Sequence, residues 1–346
     1  MAQYPFDDNL KDRFKEHIKR HPVRVPKYYA SLMDDTDPFD PIRLIAYPSI
    51  DELSTDGSYD TSGEASNTKL PGLQHKYKKT ALILSTNECF MYCRFCFRKR
   101  MVGFSQDEIN SRLFDAVAYI KDHEEIDNVL ISGGDSFTLS NDNIKAYLEA
   151  LTAIKHLKLI RFGTRIPVVL PQRIYHDEEL LKMLKHYRKR KNIIIVTHFN
   201  HPKEITPEAI RALDHLKEIG ISVRNQTVLL NRVNDNPETL TTLFNALIKH
   251  NVIPYYLFQC RPVKGVKGFQ VPLSNGIDIV DETRKRLNGI TKTFRYMMSH
   301  KKGKIEILAK QKNHLYFKFH QSKDDVNTNR FFSVINENQA WLDNDF

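Results

Sequence analysis

Six short apolar runs, separated by segments with helical periodicity, restrict this chain to a narrow set of folds. The runs cover residues 81–86, 128–132, 157–162, 192–197, 222–228 and 252–258. Each is too short for a buried helix and rich in Ile, Val or Leu, so each reads as a buried strand. Helical segments lie between them, among them 107–122, 141–154 and 206–219. The last two begin at good caps, Ser140 or Asn141 and Thr206-Pro207. Strands alternating with helices predict an α/β fold with parallel strands joined by right-handed crossovers. An open doubly wound sheet and a barrel satisfy this pattern equally well. At 346 residues and 41% hydrophobic content, one α/β barrel is an adequate reading of the length.

Polar residues collect where these strands end. The first strand runs into a cysteine-bearing loop, and the second ends in Ser132-Gly-Gly-Asp135. The third ends in Gly163-Thr-Arg165, the fourth in His198-Phe-Asn-His201 and the sixth in Gln259-Cys-Arg261. Parallel α/β proteins bind ligands at that edge. Gly133 and Gly134 would allow a close backbone approach to a ligand and could turn peptide N–H groups toward it. Arg165, His198 and Gln226 gain weight from position, since a lone histidine is more often structural than catalytic.

Three of the four cysteines, Cys89, Cys93 and Cys96, lie within eight residues. The CX3CX2C spacing suits three corners of a cubane iron–sulfur cluster and leaves one iron for a small chelating molecule. A zinc site would want a fourth soft ligand, and Cys260 is distant in sequence. So few cysteines argue against a disulfide framework. The net charge of +10 is scattered in short clusters, without a basic tail or a recognised nucleic-acid module. That argues against a nucleic-acid partner. No apolar run reaches about 18 residues and no basic start precedes an apolar stretch, so the expectation is a cytoplasmic protein without a membrane span.

The cysteine loop, Thr86–Gly103, resembles the cluster motif of the lysine 2,3-aminomutase family of radical S-adenosylmethionine enzymes. The resemblance continues through Pro71-Gly-Leu-Gln-His-Lys-Tyr77, Leu130–Asp135, Phe162–Arg173, Thr197–Thr206, Asn225–Asn231 and Tyr255–Cys260. It implies a partial (β/α)6 barrel holding a 4Fe-4S cluster on Cys89, Cys93 and Cys96. S-adenosylmethionine would sit on the open iron, contacted by Gly133, Gly134, Asp135, Arg165, His198 and Gln226. Its reductive cleavage would give a 5′-deoxyadenosyl radical, with the electron drawn from a donor such as flavodoxin or ferredoxin. The family's aminomutases also use pyridoxal 5′-phosphate. Lys304 matches the lysine that forms the aldimine, and Arg98 matches a phosphate-binding arginine.

Two substrate positions depart from the lysine-specific members. Arg261 stands where they carry an aspartate after the Gln-Cys pair, and Met297 replaces a second aspartate seven residues before the pyridoxal lysine. A cation there would repel a lysine side chain and pair with a carboxylate. The expected substrate is therefore a small amino acid other than free lysine, such as glutamate. The competing readings are a radical enzyme without pyridoxal phosphate, acting on another small molecule, a protein side chain or RNA, and a non-catalytic iron–sulfur protein. The expected organisation is an N-terminal helical or irregular extension over 1–79, a barrel over 80–292 and a strand-containing C-terminal extension over 293–346. Within the first, 54–67 is rich in Ser, Asp, Gly and Thr and reads as an exposed loop. The sequence does not set the oligomeric state.

Overall fold

The computed structural model describes residues 8–103, 109, 112–342 and 346. Among them, twelve strands form one sheet in sequence order: β1 Thr68–Leu70, β2 Leu73–Tyr77, β3 Thr80–Thr86, β4 Asn128–Gly133, β5 Leu159–Gly163, β6 Asn192–Thr197, β7 Ser222–Leu229, β8 Val252–Gln259, β9 Arg295–His300, β10 Gly303–Gln311, β11 His314–Ser322 and β12 Phe331–Ile335. The six predicted strands are β3 to β8, paired in parallel, and β9 joins them in parallel. Antiparallel strands flank this block on both sides. The sheet does not close on itself, as expected of a partial barrel.

Side-chain alternation explains the layering. On β5, Ile160 and Phe162 are fully buried beneath the helices, whereas Arg161 and Gly163 face the interior cavity. The crossover helices have their predicted starts: the Ser140 hydroxyl accepts from Asn143 N–H, and the Thr206 hydroxyl from Ala209 N–H. The helix expected from 107 is observed over Leu113–Asp122, and its expected start lies outside the described residues. Among the described residues no helix is long and apolar enough to cross a membrane.

Two expectations need correction. The N-terminal segment is not only helical or irregular, because β1 and β2 extend the sheet. The stretch 54–67 is not wholly an exposed loop. Asp60 accepts from Glu64 N–H and Ala65 N–H, turning the chain into the short helix Glu64–Asn67. Thr61, Ser62, Glu64 and Asn67 are buried there. Polar composition misleads at this point because Glu64 goes inward as the partner of Arg98 and Arg100.

The two flanks of the sheet meet across the interior. Lys76 on β2 donates to the His300 carbonyl at the end of β9, at 2.6 Å, and to the Ser62 carbonyl at 3.0 Å. On the far flank, β10 and β11 form a hairpin whose pairing shifts beside Lys304. Lys304 faces Gln321 and Ile305 faces Phe319, so His320 is the extra residue of a bulge. Its Nε2 meets the Tyr256 hydroxyl at 3.0 Å.

Candidate active site

A cavity of about 720 Å³ fills the barrel interior. It is bounded by Cys89, Cys93, Cys96, Arg98, Gly133, Gly134, Asp135, Arg165, His198, Gln226, Arg261 and Lys304. Thus every sequence-predicted site residue except Met297 shares one space. Met297 is fully buried in the sheet, opposite Phe258 and Glu306, and is not among the residues that line the cavity. Its expected contact with substrate is therefore corrected: it packs the wall.

The cysteine loop is held from several directions. Arg94, next to Cys93, gives Nε and Nη2 to Glu52 at 2.8 and 2.7 Å and Nη1 to the His21 and Pro22 carbonyls. Lys99 reaches the same carboxylate at 2.8 Å, and His17 Nε2 lies 2.9 Å from it. Glu52 is buried, and these partners hold its carboxyl far below the usual carboxylate range despite that burial.

Arg165 is a second brace. Its Nη1 lies 2.7 Å from Cys93 Sγ, while Nη2 meets buried Glu204 at 2.5 Å and Nε donates to the His198 carbonyl at 3.2 Å. Tyr29 donates its hydroxyl to the same Glu204 oxygen at 2.6 Å. Burial pushes the three thiols up, Cys96 to about 11; neighbouring cysteines add to it at Cys89 and Cys96, whereas Arg165 opposes it at Cys93. Binding iron releases such protons. Among the described residues no three His, Cys, Asp or Glu side chains gather tightly enough for a single metal ion. A cubane places each thiolate on its own iron, so three cysteines spread along one cavity wall suit it better than mononuclear zinc.

The glycine pair has a narrower part than its sequence suggests. Gly134 N–H donates to the Thr86 carbonyl at 2.6 Å, and Asp135 N–H to the Glu88 carbonyl at 2.8 Å. A Cβ on Gly133 would fall 2.2 Å from the Thr86 carbonyl oxygen, and one on Gly134 as close to that of Glu88. The pair lets β4 press against the base of the cysteine loop, and the Gly134 N–H serves backbone there rather than a ligand. Asp135 is likewise engaged: its carboxylate accepts from the Thr164 hydroxyl, Arg165 N–H and Phe137 N–H.

His198 stands edge-on to Phe95, 5.5 Å between ring centroids, with Nε2 buried and unpartnered among the described residues. Burial and then the Arg165 charge push it down to about 3, so it is a neutral imidazole.

The opposite wall is cationic. Lys304 Nζ lies 4.6 Å from the Tyr256 ring centroid and 5.8 Å from that of Phe258. Burial, then the charges of Arg161, Arg261 and Lys76, push its amine down to about 7. Lys76 is also lowered to about 7, by burial and then by Arg261. Arg261 lies flat over Phe97 at 3.9 Å and donates to the Ser62 hydroxyl. Burial lowers it to about 10. Among the described residues Lys76, Arg161, Arg224, Arg261 and Lys304 have no carboxylate within ion-pair distance.

Arg98 differs from these five. It gives Nε and Nη2 to Glu64 Oε1 at 3.1 and 2.9 Å, and Nη1 to the Ser132 hydroxyl and Gly133 carbonyl. Its expected phosphate contact would have to compete with Glu64.

Residues 83–243 match the model of the Radical SAM superfamily. The chain is 40% identical over 323 residues to a putative L-lysine 2,3-aminomutase of Aquifex aeolicus, covering 92% of this chain and 86% of that protein. The chain belongs to the lysine 2,3-aminomutase family. The L-lysine 2,3-aminomutase of Clostridium subterminale is 39% identical over 79% of this chain and 65% of its own length. The glutamate 2,3-aminomutase of Clostridioides difficile is 38% identical over 81% and 67%. As a radical SAM enzyme of the aminomutase type, the chain works with a 4Fe-4S cluster and S-adenosylmethionine to move an amino group.

Glu64, Lys76 and Arg161 had not been singled out from the sequence. Arg161 carried a usable signal, a charge inside an otherwise apolar strand run. Glu64 carried none.

Proposed function

We propose that this enzyme shifts an amino group between adjacent carbons of an acidic amino acid, with pyridoxal 5′-phosphate held at Lys304. The observation that carries the proposal is the set of half-buried, cavity-lining cations around that lysine without a carboxylate at ion-pair distance. Taking such charges out of water is costly, and the cost is recovered only when anions arrive. A cofactor phosphate and a dicarboxylic amino acid bring several negative charges, whereas lysine would add another cation. The similarity to a glutamate 2,3-aminomutase supports the same substrate class.

Bound pyridoxal phosphate supplies electron delocalisation at the migrating nitrogen. The chain's own contribution is to lower the Lys304 amine to about 7, so that a sizeable fraction is the free amine near neutral pH, as a nucleophile must be. Arg261, rigid against Phe97, would pair with a substrate carboxylate through its fork. Cys89, Cys93 and Cys96 would hold the cluster, while Gln226, neutral His198 and the Gly133–Asp135 turn would bound the S-adenosylmethionine pocket. An electron donor such as ferredoxin or flavodoxin, in a reducing cytoplasm, completes the requirement.

Anaerobically reconstituted protein with added pyridoxal phosphate should absorb near about 420 nm and lose the band to borohydride. Mass spectrometry after incubation with single amino acids should show isomerised glutamate and unchanged lysine. Conversion of lysine with glutamate ignored would sink the substrate assignment. No band at any cofactor concentration would sink the cofactor assignment.

A further inference from the structure

The proposed function leaves Lys76, Arg161 and Arg224 without a task, and of these Arg161 combines a braced guanidinium with a buried donor that has no partner among the described residues. Arg161 projects from β5 into the cavity, level with Leu130 on β4 and Ile194 on β6. Its apolar neighbours offer no counter-charge. The guanidinium is nonetheless held: Nη2 donates to Asn128 Oδ1 at 2.6 Å. Asn128 is itself fixed, with Nδ2 on the Thr80 hydroxyl and the Lys79 carbonyl, both at 2.9 Å. Meanwhile Arg161 Nε is buried and has no partner among the described residues. A braced arginine with an unspent donor, facing a cavity, is an anion seat in form.

We propose that Arg161, braced by Asn128, forms an anion subsite in the barrel interior that binds a phosphate or carboxylate group of the ligands gathered at Lys304. It is distinct from the subsite at Arg261, which is placed by its own contacts with Ser62 and Phe97. Arg161 is also the largest charge acting on Lys304, ahead of Arg261. An anion on Arg161 therefore lies within electrostatic reach of that amine. The cavity then carries two cationic seats flanking one lysine, as two anionic groups on a cofactor–substrate pair require. This assignment rests on the pyridoxal phosphate and acidic-substrate reading, and its test is arranged to separate the two.

Cluster-loaded R161M, R161K and N128A should be titrated with pyridoxal phosphate, with pyridoxal lacking the phosphate, and with inorganic phosphate followed by thermal shift. Steady-state KM should be measured for glutamate and for its neutral isostere glutamine. If the seat takes the cofactor phosphate, R161M weakens pyridoxal phosphate binding about 30-fold or more and leaves pyridoxal unaffected. If it takes the substrate carboxylate, cofactor binding is retained while KM for glutamate rises by a similar factor and that for glutamine does not. In either case N128A gives a smaller loss of the same kind, and R161K lies between wild type and R161M.

Wild-type behaviour of R161M toward all five ligands overturns the proposal. If R161M does not fold, wild-type binding in both R161K and N128A overturns it instead. Should wild type itself show no cofactor band, the functional reading falls but the seat is still decided. A phosphate-induced thermal shift present in wild type and absent in R161M upholds it; an equal shift in both removes it.

Discussion

The two walls of the cavity treat charge in opposite ways. On the cysteine wall each buried cation has its anion: Arg94 and Lys99 share Glu52, Arg165 has Glu204, and Arg98 has Glu64. On the lysine wall Lys76, Arg161, Arg261 and Lys304 face the interior, and among the described residues none of them has a carboxylate at ion-pair distance, although Glu64 is near enough to act on Arg261 and Lys76. The first arrangement is complete without ligands and fixes the loop that bears Cys89, Cys93 and Cys96. The second is complete only when anions enter. A fold can therefore display its ligand's charge as a deficit of its own.

The contrast is sharpest at Lys304. Lys304→Ala should abolish the cofactor absorbance and the isomerisation together, read by spectrum and product analysis. Without ligands, however, Lys304→Met should leave the protein unchanged or stabilise it by about 1–4 kcal/mol, because a desolvated amine without an ion-pair partner, crowded by other cations, is removed. On the other wall the sign reverses. Glu52→Ala strands Arg94 and Lys99 and should cost about 3–5 kcal/mol in denaturant unfolding, with iron content falling after reconstitution. If both substitutions destabilise alike, the two walls do not differ in the way argued.

Arg261→Met should raise KM for glutamate by about 30-fold or more without improving lysine turnover, since the second substrate aspartate of lysine-specific members is also missing. A gain of lysine turnover would show that one charge sets specificity.

The smallest effect is in pH. Lys304 has its folded value lowered to about 7, below the ordinary lysine range of the unfolded chain. Between those values the unfolded state binds the extra proton, so this residue's contribution to stability rises with pH above about 7. The cofactor band should form with the same midpoint. In R161M, which lacks the neighbouring positive charge, that midpoint should move upward.

Much of this was legible in the chain because the signals were local. Strands β3 to β8 follow from apolar runs, and the Ser140 and Thr206 caps follow from side chains that bond three residues away. That Cys89, Cys93 and Cys96 share one cavity follows from their close spacing. What was not legible depends on long-range pairing. Glu64 looks like part of a polar loop until Arg98, 34 residues on, comes to meet it. The Gly134 N–H is spent on Thr86, far back in sequence, so its apparent ligand role could not be judged from the motif. Met297 matched by alignment to a substrate position, yet strand pairing sets it inside the wall. Spacing reports which residues share an edge, whereas pairing decides which donors are already taken.

The bulge beside Lys304 acts as a measuring device. Cysteine loop and lysine are carried by strands of one uninterrupted sheet, so the span between radical source and amine is set in units of strand register and not by a hinge. Adding one residue to β11 at His320 resets the count at the point where the lysine must face inward. Deleting that residue would re-register β11 beside the lysine and remove the contact of His320 with Tyr256, while the unshifted pairing of β10 with β9 keeps Lys304 facing inward.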